Sequence, residues 1–160
     1  MSQARDDLTS AERRNVELVT ESMTIASDAK RASADAVRNV CAPGNRLVAP
    51  STFPGVETLE GYADARAEVM RSLDDLHFVA SDVVFARGDR VAPRCTAEGS
   101  HRGAPHGGIP PAGRSARWTA AALFRVEGGR LAEFIKEWDK LATWEQLGWP
   151  LDEGRSHRVG

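Results

Sequence analysis

The chain has 160 residues, a length that indicates one domain with a sizeable buried core. Its 41% hydrophobic and 28% charged residues are typical of an ordinary globular protein. The formal net charge of −2 excludes the strongly basic surface that nucleic-acid binding needs. No apolar run reaches the ~20 residues needed to cross a membrane, and no secretory signal is visible. We therefore expect a cytoplasmic protein that binds neither nucleic acid nor membrane.

Helical periodicity dominates the first half of the chain. The first predicted helix begins after Ser10, a residue that can cap it. Its apolar residues recur at three- and four-residue spacing and form one face, made of Val16, Val19, Met23 and Ala26. A shorter helix is predicted over residues 32–40. A third is predicted over residues 56–72, after a loop at 50–55 that contains prolines and a glycine.

The second half of the chain changes to the alternating pattern of β-strands. Four strands are predicted, over residues 76–86, 91–101, 118–126 and 131–138. Residues 103–113 contain too many glycines and prolines for a regular element, which predicts a long loop. A short helix is predicted over residues 141–147, and a polar, frayed tail over residues 151–160.

Three helices followed by an antiparallel meander are typical of the α+β class. The sequence predicts a single domain over residues 1–150, with three N-terminal helices packed on a strongly curved antiparallel sheet. Such a sheet forms a cone with an internal pocket, and a concave pocket is a natural site for a small molecule.

An ordered series of short segments between residues 55 and 148 resembles the SnoaL-like polyketide cyclase family. The segments are Gly-Val-Glu at 55–57, Ala-Arg-Gly-Asp-Arg-Val-Ala at 86–92, Gly-Ser-His-Arg-Gly at 99–103, Gly-Ile-Pro-Pro-Ala-Gly-Arg at 108–114, Phe-Arg-Val-Glu-Gly-Gly-Arg-Leu at 124–131, Trp-Asp at 138–139 and Gln-Leu-Gly at 146–148. No single segment is specific, but their order over most of the domain carries the resemblance.

The resemblance implies a ketosteroid-isomerase-like cone, often a homodimer, that works without a metal or an organic cofactor. Members of that family cyclise aromatic polyketides by an intramolecular aldol step, and similar proteins open epoxides to form cyclic ethers. We therefore expect a cofactor-independent cyclase of a secondary-metabolite pathway, such as antibiotic biosynthesis. Its partner would be a small hydrophobic substrate.

Two residues match catalytic positions of the family. Asp139 matches the catalytic aspartate, and burial at the mouth of an apolar cone would raise its pKa and suit it to move protons. His101 matches the histidine of a Gly-Thr-His-x-Gly segment, with Ser100 in place of the threonine, and could donate to a ligand oxygen. The structural alternatives are a helix N-cap for Asp139 and a loop anchor for His101.

Glu137 is the third candidate catalytic residue. Because side chains alternate along a strand, Glu137 should share a face with Ile135 and Asp139. If that face lines the pocket, the two carboxylates form a pair in which one stays protonated, an arrangement that suits epoxide opening. In the alternative, Glu137 points to solvent and pairs with a neighbouring lysine.

The remaining candidates are apolar or aromatic side chains that could contact substrate. They are Ile135, Phe53, Trp118, Met70, Phe78 and Tyr62. Neither Cys41 nor Cys95 has the spacing of a metal ligand, and the resemblance implies that neither a metal nor a cofactor is needed.

Three functions from different classes stay open at this point. The first is the cyclase, with either aldol or epoxide-opening chemistry. The second is an epoxide hydrolase or an auxiliary hydroxylase on the same fold. The third is a non-catalytic binder of a hydrophobic ligand, in which Asp139 acts only as a helix cap.

Overall fold

The computed structural model describes residues 7–151 and confirms the predicted α+β class. In chain order its elements are α1 (Ser10–Ala26), α2 (Ala34–Val37), a short 3-10 helix (Arg38–Val40), β1 (Cys41–Val48), α3 (Leu59–Ser72), β2 (His77–Arg87), β3 (Arg90–Ser100), β4 (Ser115–Glu127), β5 (Arg130–Trp138) and α4 (Lys140–Leu147). Most of the predicted tail, residues 152–160, lies outside the described part of the chain. No helix within residues 7–151 is both long and apolar enough to cross a membrane.

The start of α1 is fixed by a capping box. Thr9, rather than Ser10, is the N-cap: its hydroxyl accepts from the Glu12 N–H, and the Glu12 carboxylate accepts from the Thr9 N–H at 2.9 Å. The second carboxylate oxygen accepts from the Gly88 N–H at 2.9 Å, which ties α1 to the turn between β2 and β3. The Gly88 bond, followed by the Thr9 bonds, lowers the pKa of Glu12.

The sheet is mixed, which corrects the fully antiparallel prediction. Its strand order is β1-β5-β4-β3-β2, with β1 parallel to β5 and every other pair antiparallel. The predicted second helix ends at residue 40, and no strand was predicted over residues 41–48, where the structure has β1. Pro43 and Gly44 suggested only a break, but this edge strand tolerates them because its pairing with β5 is interrupted between Cys41 and Arg46.

Strand β4 shows the alternation that shapes the interior. Ala116, Trp118, Ala120, Phe124 and Val126 are all buried on its inner face. On β5, Phe134 lies opposite Phe124, and the two rings stack with centroids 4.3 Å apart. Small alanines in the middle of β4 beside large aromatic residues leave an unfilled space on the concave face.

The loop between β3 and β4 is anchored to the end of α3 at Gly103. The Gly103 N–H donates to the Ser72 carbonyl at 3.1 Å, and the next N–H, from Ala104, donates to the Arg71 carbonyl at 2.7 Å. A Cβ at position 103 would lie 2.1 Å from the Arg71 carbonyl oxygen. The close approach of the two backbones therefore requires glycine.

Candidate functional site

The interior of the cone contains a pocket between α1, α3 and the concave face of the sheet. The space that it encloses, counted together with the open solvent at its mouth, is about 700 Å³. The walls are mainly apolar and aromatic, with Phe78, Trp118, Phe124 and Phe134 among them. The pocket therefore presents a mostly apolar surface.

Lys136 and Tyr62 form the polar pair of the pocket. Lys136 is on the inner face of β5 and only 6% exposed, and its Nζ donates to the Tyr62 hydroxyl at 3.2 Å. Tyr62 is on α3, where Phe53 and Phe134 contact its ring edge-to-face at centroid distances of 5.5 and 4.9 Å. These contacts hold the phenol in place beside the amine, and both residues line the pocket.

The environment changes the acidity of both groups. Burial lowers the pKa of Lys136, and the charge of Arg66 lowers it further, while Tyr62 partly offsets the shift. Burial raises the pKa of Tyr62, but attraction to Lys136 and Arg66 outweighs burial, so this pKa is lower than usual. A lysine that loses its proton more easily beside an acidified phenol makes an acid–base pair.

Arg66 is the second cationic side chain of the pocket wall. It is 7% exposed, and its guanidinium lies over the Phe78 ring, 5.9 Å from the centroid. Its buried Nε has no hydrogen-bond partner among residues 7–151. Arg66 follows Tyr62 by one turn of α3, so both side chains occupy the same helix face.

The two cysteines also line the pocket and stay as thiols. Burial, with a smaller contribution from Glu60, raises the pKa of Cys41 to about 12. Burial likewise raises the pKa of Cys95, although Lys136 and Arg66 partly oppose it. Because the thiolate is the nucleophilic form, neither side chain is suited to covalent catalysis near neutral pH.

The predicted carboxylate pair does not lie in the pocket. Glu137 is exposed, and Asp139 is exposed and acts as the N-cap of α4, where its Oδ1 accepts from the Ala142 N–H at 3.0 Å. Of the two alternatives for Glu137, the structure has the solvent-facing one, because Phe134 and Lys136 occupy the inner face of β5. Ile135 and Glu137 therefore lie on the outer face.

His101 is held inside the loop after β3. It is 1% exposed; its Nδ1 accepts from the Trp149 indole N–H at 3.0 Å, and its Nε2 lies 3.0 Å from the Ala104 carbonyl. An indole N–H can only donate, so Nδ1 is the acceptor nitrogen of this imidazole. Its Nε2–H therefore donates to the Ala104 carbonyl. The structure thus places His101 as a loop anchor, outside the residues that line the pocket.

The predicted substrate contacts divide into two groups. Tyr62, Phe78 and Trp118 line the pocket. Phe53 packs behind Tyr62, and Met70 is buried in a second apolar cluster with Trp118, away from the pocket wall. Ile135 is opposite Leu123 on the outer face of the sheet.

Sequence reasoning missed the two cationic residues, although each had a signal. Lys136 stands between Phe134 and Trp138 at two-residue spacing, so the two aromatic residues mark the buried face of β5. Arg66 interrupts the apolar face of α3 between Tyr62 and Met70. A charged residue on an apolar face is an indication of a site rather than of a core.

In the described part of the chain, no three His, Cys, Asp or Glu side chains are placed to hold a metal ion together. The ionisable nitrogen and oxygen groups of the pocket wall are the Lys136 amine, the Tyr62 phenol and the Arg66 guanidinium, and Ser22 and Ser27 add two hydroxyls.

The fold and the pocket define a cone-shaped α+β protein with an internal pocket, and comparisons with known proteins agree on the fold. The sequence model of the SnoaL-like polyketide cyclase family matches residues 20–147. The chain belongs to this family. No curated protein matches the sequence.

Solved structures give the same fold. A protein of Jannaschia sp. CCS1 named for the SnoaL-like polyketide cyclases is 26% identical, covering 91% of this chain and 99% of its own, with a TM-score of 0.75. TsrD from Streptomyces laurentii is 26% identical over 89% of this chain and 98% of its own, with a TM-score of 0.66. IdmH from Streptomyces antibioticus, named for the polyketide cyclases, is 24% identical over 84% and 98%, with a TM-score of 0.69.

Proposed function

We propose that this protein is a cofactor-independent cyclase of a secondary-metabolite pathway, which closes a ring in an apolar polyketide by acid–base catalysis. The observation that carries the proposal is the buried Lys136–Tyr62 pair in an apolar pocket. Membership of the SnoaL-like polyketide cyclase family supports the reaction class. The pair takes the place of the carboxylates and histidine that the sequence suggested.

The proposed reaction is an intramolecular aldol closure. The neutral Lys136 amine takes a proton from the carbon next to a substrate carbonyl, and the electrons of that C–H bond move onto the carbonyl oxygen. The Tyr62 hydroxyl donates to this enolate oxygen. The enolate carbon then attacks a second carbonyl, a C–C bond forms, and the Lys136 ammonium returns the proton to the new alkoxide. No proton or electron is left over.

The first step can be measured without the natural substrate. We expect the protein to accelerate exchange of the methyl hydrogens of 2-acetylnaphthalene with D2O, followed by proton NMR. Lys136→Met should lower the exchange rate by at least about 100-fold because it removes the base. Tyr62→Phe should lower it by about tenfold or more because it removes a donor to the enolate. Lys30→Met, the same substitution at an exposed lysine, should leave the rate unchanged.

The pH profile identifies the base. Exchange should rise with pH as Lys136 loses its proton, and at lower pH than for a solvated lysine because burial lowers its pKa. Tyr62→Phe should move the rise to still lower pH, since Tyr62 raises the pKa of Lys136. Wild-type protein that gives no acceleration, or Lys136→Met protein that retains it, would contradict the proposal. If only Glu137→Gln or Asp139→Asn loses exchange, the catalytic base is one of these carboxylates and not Lys136.

We also propose that the protein is a homodimer through the outer face of the sheet. Leu123 on β4 is 53% exposed opposite Ile135, and Phe85 on β2 is 49% exposed, so apolar side chains spread across this face. Apolar area of this kind is characteristic of a homodimer interface.

The dimer is tested by light scattering after size exclusion. Wild-type protein should have twice the chain mass, and Leu123→Glu should weaken the dimer at least about tenfold because it buries a charge in the interface. Leu141→Glu alters an equally exposed leucine on α4, outside the proposed face, and should leave the dimer intact. A wild-type monomer, or a Leu123→Glu dimer of wild-type affinity, would refute this assembly.

A further inference from the structure

The pocket wall contains a buried positive charge for which the described residues provide no counter-ion. Arg66 is more than nine-tenths buried and lines the pocket, and its Nε has no hydrogen-bond partner within residues 7–151. No ion pair to this guanidinium occurs in the same part of the chain. A guanidinium keeps its proton at any physiological pH, so Arg66 cannot escape the cost of burial by becoming neutral, as Lys136 can.

The other groups of the pocket do not neutralise this charge. Lys136 is a second nitrogen base, and Cys41 and Cys95 stay protonated near neutral pH. The Tyr62 oxygen accepts its hydrogen bond from Lys136, not from Arg66. Of the residues described, no aspartate or glutamate belongs to the pocket wall. A buried charge without a partner is costly, which makes the pocket electrostatically complementary to an anion.

The surroundings of Arg66 restrict the shape of that anion. The guanidinium lies over the Phe78 ring, and Trp118 and Phe134 form other parts of the same wall. Aromatic walls favour a flat apolar body, while the planar fork of a guanidinium matches the two oxygens of a carboxylate. The described residues thus offer one place for an apolar body and one for a carboxylate.

We propose that Arg66 binds a carboxylate of the substrate, which is therefore a planar, apolar carboxylic acid rather than a neutral molecule. The carboxylate forms charge-assisted hydrogen bonds with the guanidinium, and the apolar body extends along the aromatic wall to place its carbonyl near Lys136 and Tyr62. This inference names the substrate class of the proposed cyclase and so rests on that function.

Binding of two isosteric probes tests the inference. We expect isothermal titration calorimetry to show that the wild-type protein binds 2-naphthoate about 10- to 100-fold more tightly than 2-naphthamide, which has the same shape without the charge. The comparison is made within one protein, so it does not depend on how a variant folds. Equal affinity for the two probes, or binding of neither, would overturn the inference.

Three variants test whether Arg66 causes the preference for 2-naphthoate over 2-naphthamide. Arg66→Met should bind the two probes with equal affinity, while Arg66→Lys should keep part of the preference because it keeps the charge but not the fork. Arg71→Met makes the same change at an exposed arginine of α3 and should keep the full preference. An Arg66→Met protein that still prefers the carboxylate would refute the role of Arg66.

The two proposals can fail separately. The exchange assay uses a neutral ketone and depends on Lys136, whereas the binding assay involves no chemistry and depends on Arg66. If the protein catalyses exchange but shows no preference for the carboxylate, the proposed cyclase function stands and the proposed acidic substrate is rejected. If the protein prefers the carboxylate but does not catalyse exchange, the pocket binds acids and the proposed acid–base step is rejected.

Discussion

Lys136→Met is expected to make the protein more stable while it abolishes exchange. Lys136 is buried among Tyr62, Trp138 and Phe134, and its Nζ lies 5.4 and 5.1 Å from the centroids of the Tyr62 and Trp138 rings. Methionine is apolar and fills a similar volume without a charge. Replacing a buried charge in this way is expected to raise the free energy of unfolding by about 1–3 kcal/mol near neutral pH, as measured by urea denaturation.

The pH dependence of this gain follows from the lowered pKa of Lys136. Between the folded pKa and the ordinary value of about 10.4, the unfolded chain holds the proton and the folded chain does not, so wild-type stability rises with pH. The advantage of Lys136→Met should therefore be largest below the folded pKa and shrink as pH rises towards the ordinary value.

The matched control is Lys30→Met, at an exposed lysine, which should change stability by less than about 0.5 kcal/mol at every pH. A Lys136→Met protein that is less stable than the wild type near neutral pH would show that the ammonium is well paired in the fold. A gap that does not change with pH would show that its pKa is not lowered. A residue that lowers the free energy of unfolding but is needed for activity is expected at a functional site.

The fold could be predicted largely from local signals. The apolar periodicity of α1 and α3 and the glycine turns before β3 and β5 are properties of short segments, and the structure has elements at all of these places. Strand β1 could not be found in the same way. It contains Pro43 and Gly44 and exists because β5 offers a parallel edge to it, and that edge is formed by a segment about 90 residues away.

The site was harder to predict because it depends on the phase of one strand. Alternation in β5 correctly puts Ile135 and Glu137 on one face, but alternation does not say which face is inside. Leu131 and Ala132 are both buried, next to a register shift in the pairing with β4, so the apolar pattern is ambiguous at the start of the strand. The resemblance to the family favoured Asp139 as a pocket residue. That choice assigned the outer face of β5 to the pocket.

A similar choice affected α3. Helical spacing of the apolar residues would put Ala67 on the buried face of α3, whereas the structure buries Arg66, one position earlier. Both fit a helical stripe, and hydrophobicity favours alanine. Only the tertiary arrangement, in which Phe78 and the pocket accept the guanidinium, makes the charged residue the buried one. Arg66, the residue whose burial disagrees with its hydrophobicity, is thus also a residue of the candidate site.

His101→Ala is expected to give the largest loss of stability of the substitutions considered. The imidazole is fully buried and joins Trp149, in the segment after α4, to Ala104 in the loop after β3. Alanine would leave the buried Trp149 indole N–H without an acceptor and would open a cavity. Together these effects should lower the free energy of unfolding by about 3 kcal/mol.

Two further variants separate this structural role from catalysis. His101→Asn provides an oxygen near the position of Nδ1, so it should keep the Trp149 hydrogen bond and lose less stability than His101→Ala. His77→Ala removes an exposed histidine and should cost about 1 kcal/mol or less. At a temperature where His101→Asn is fully folded, it should exchange 2-acetylnaphthalene at the wild-type rate. If that folded variant loses exchange, His101 takes part in the chemistry, and the loop brings it to the substrate.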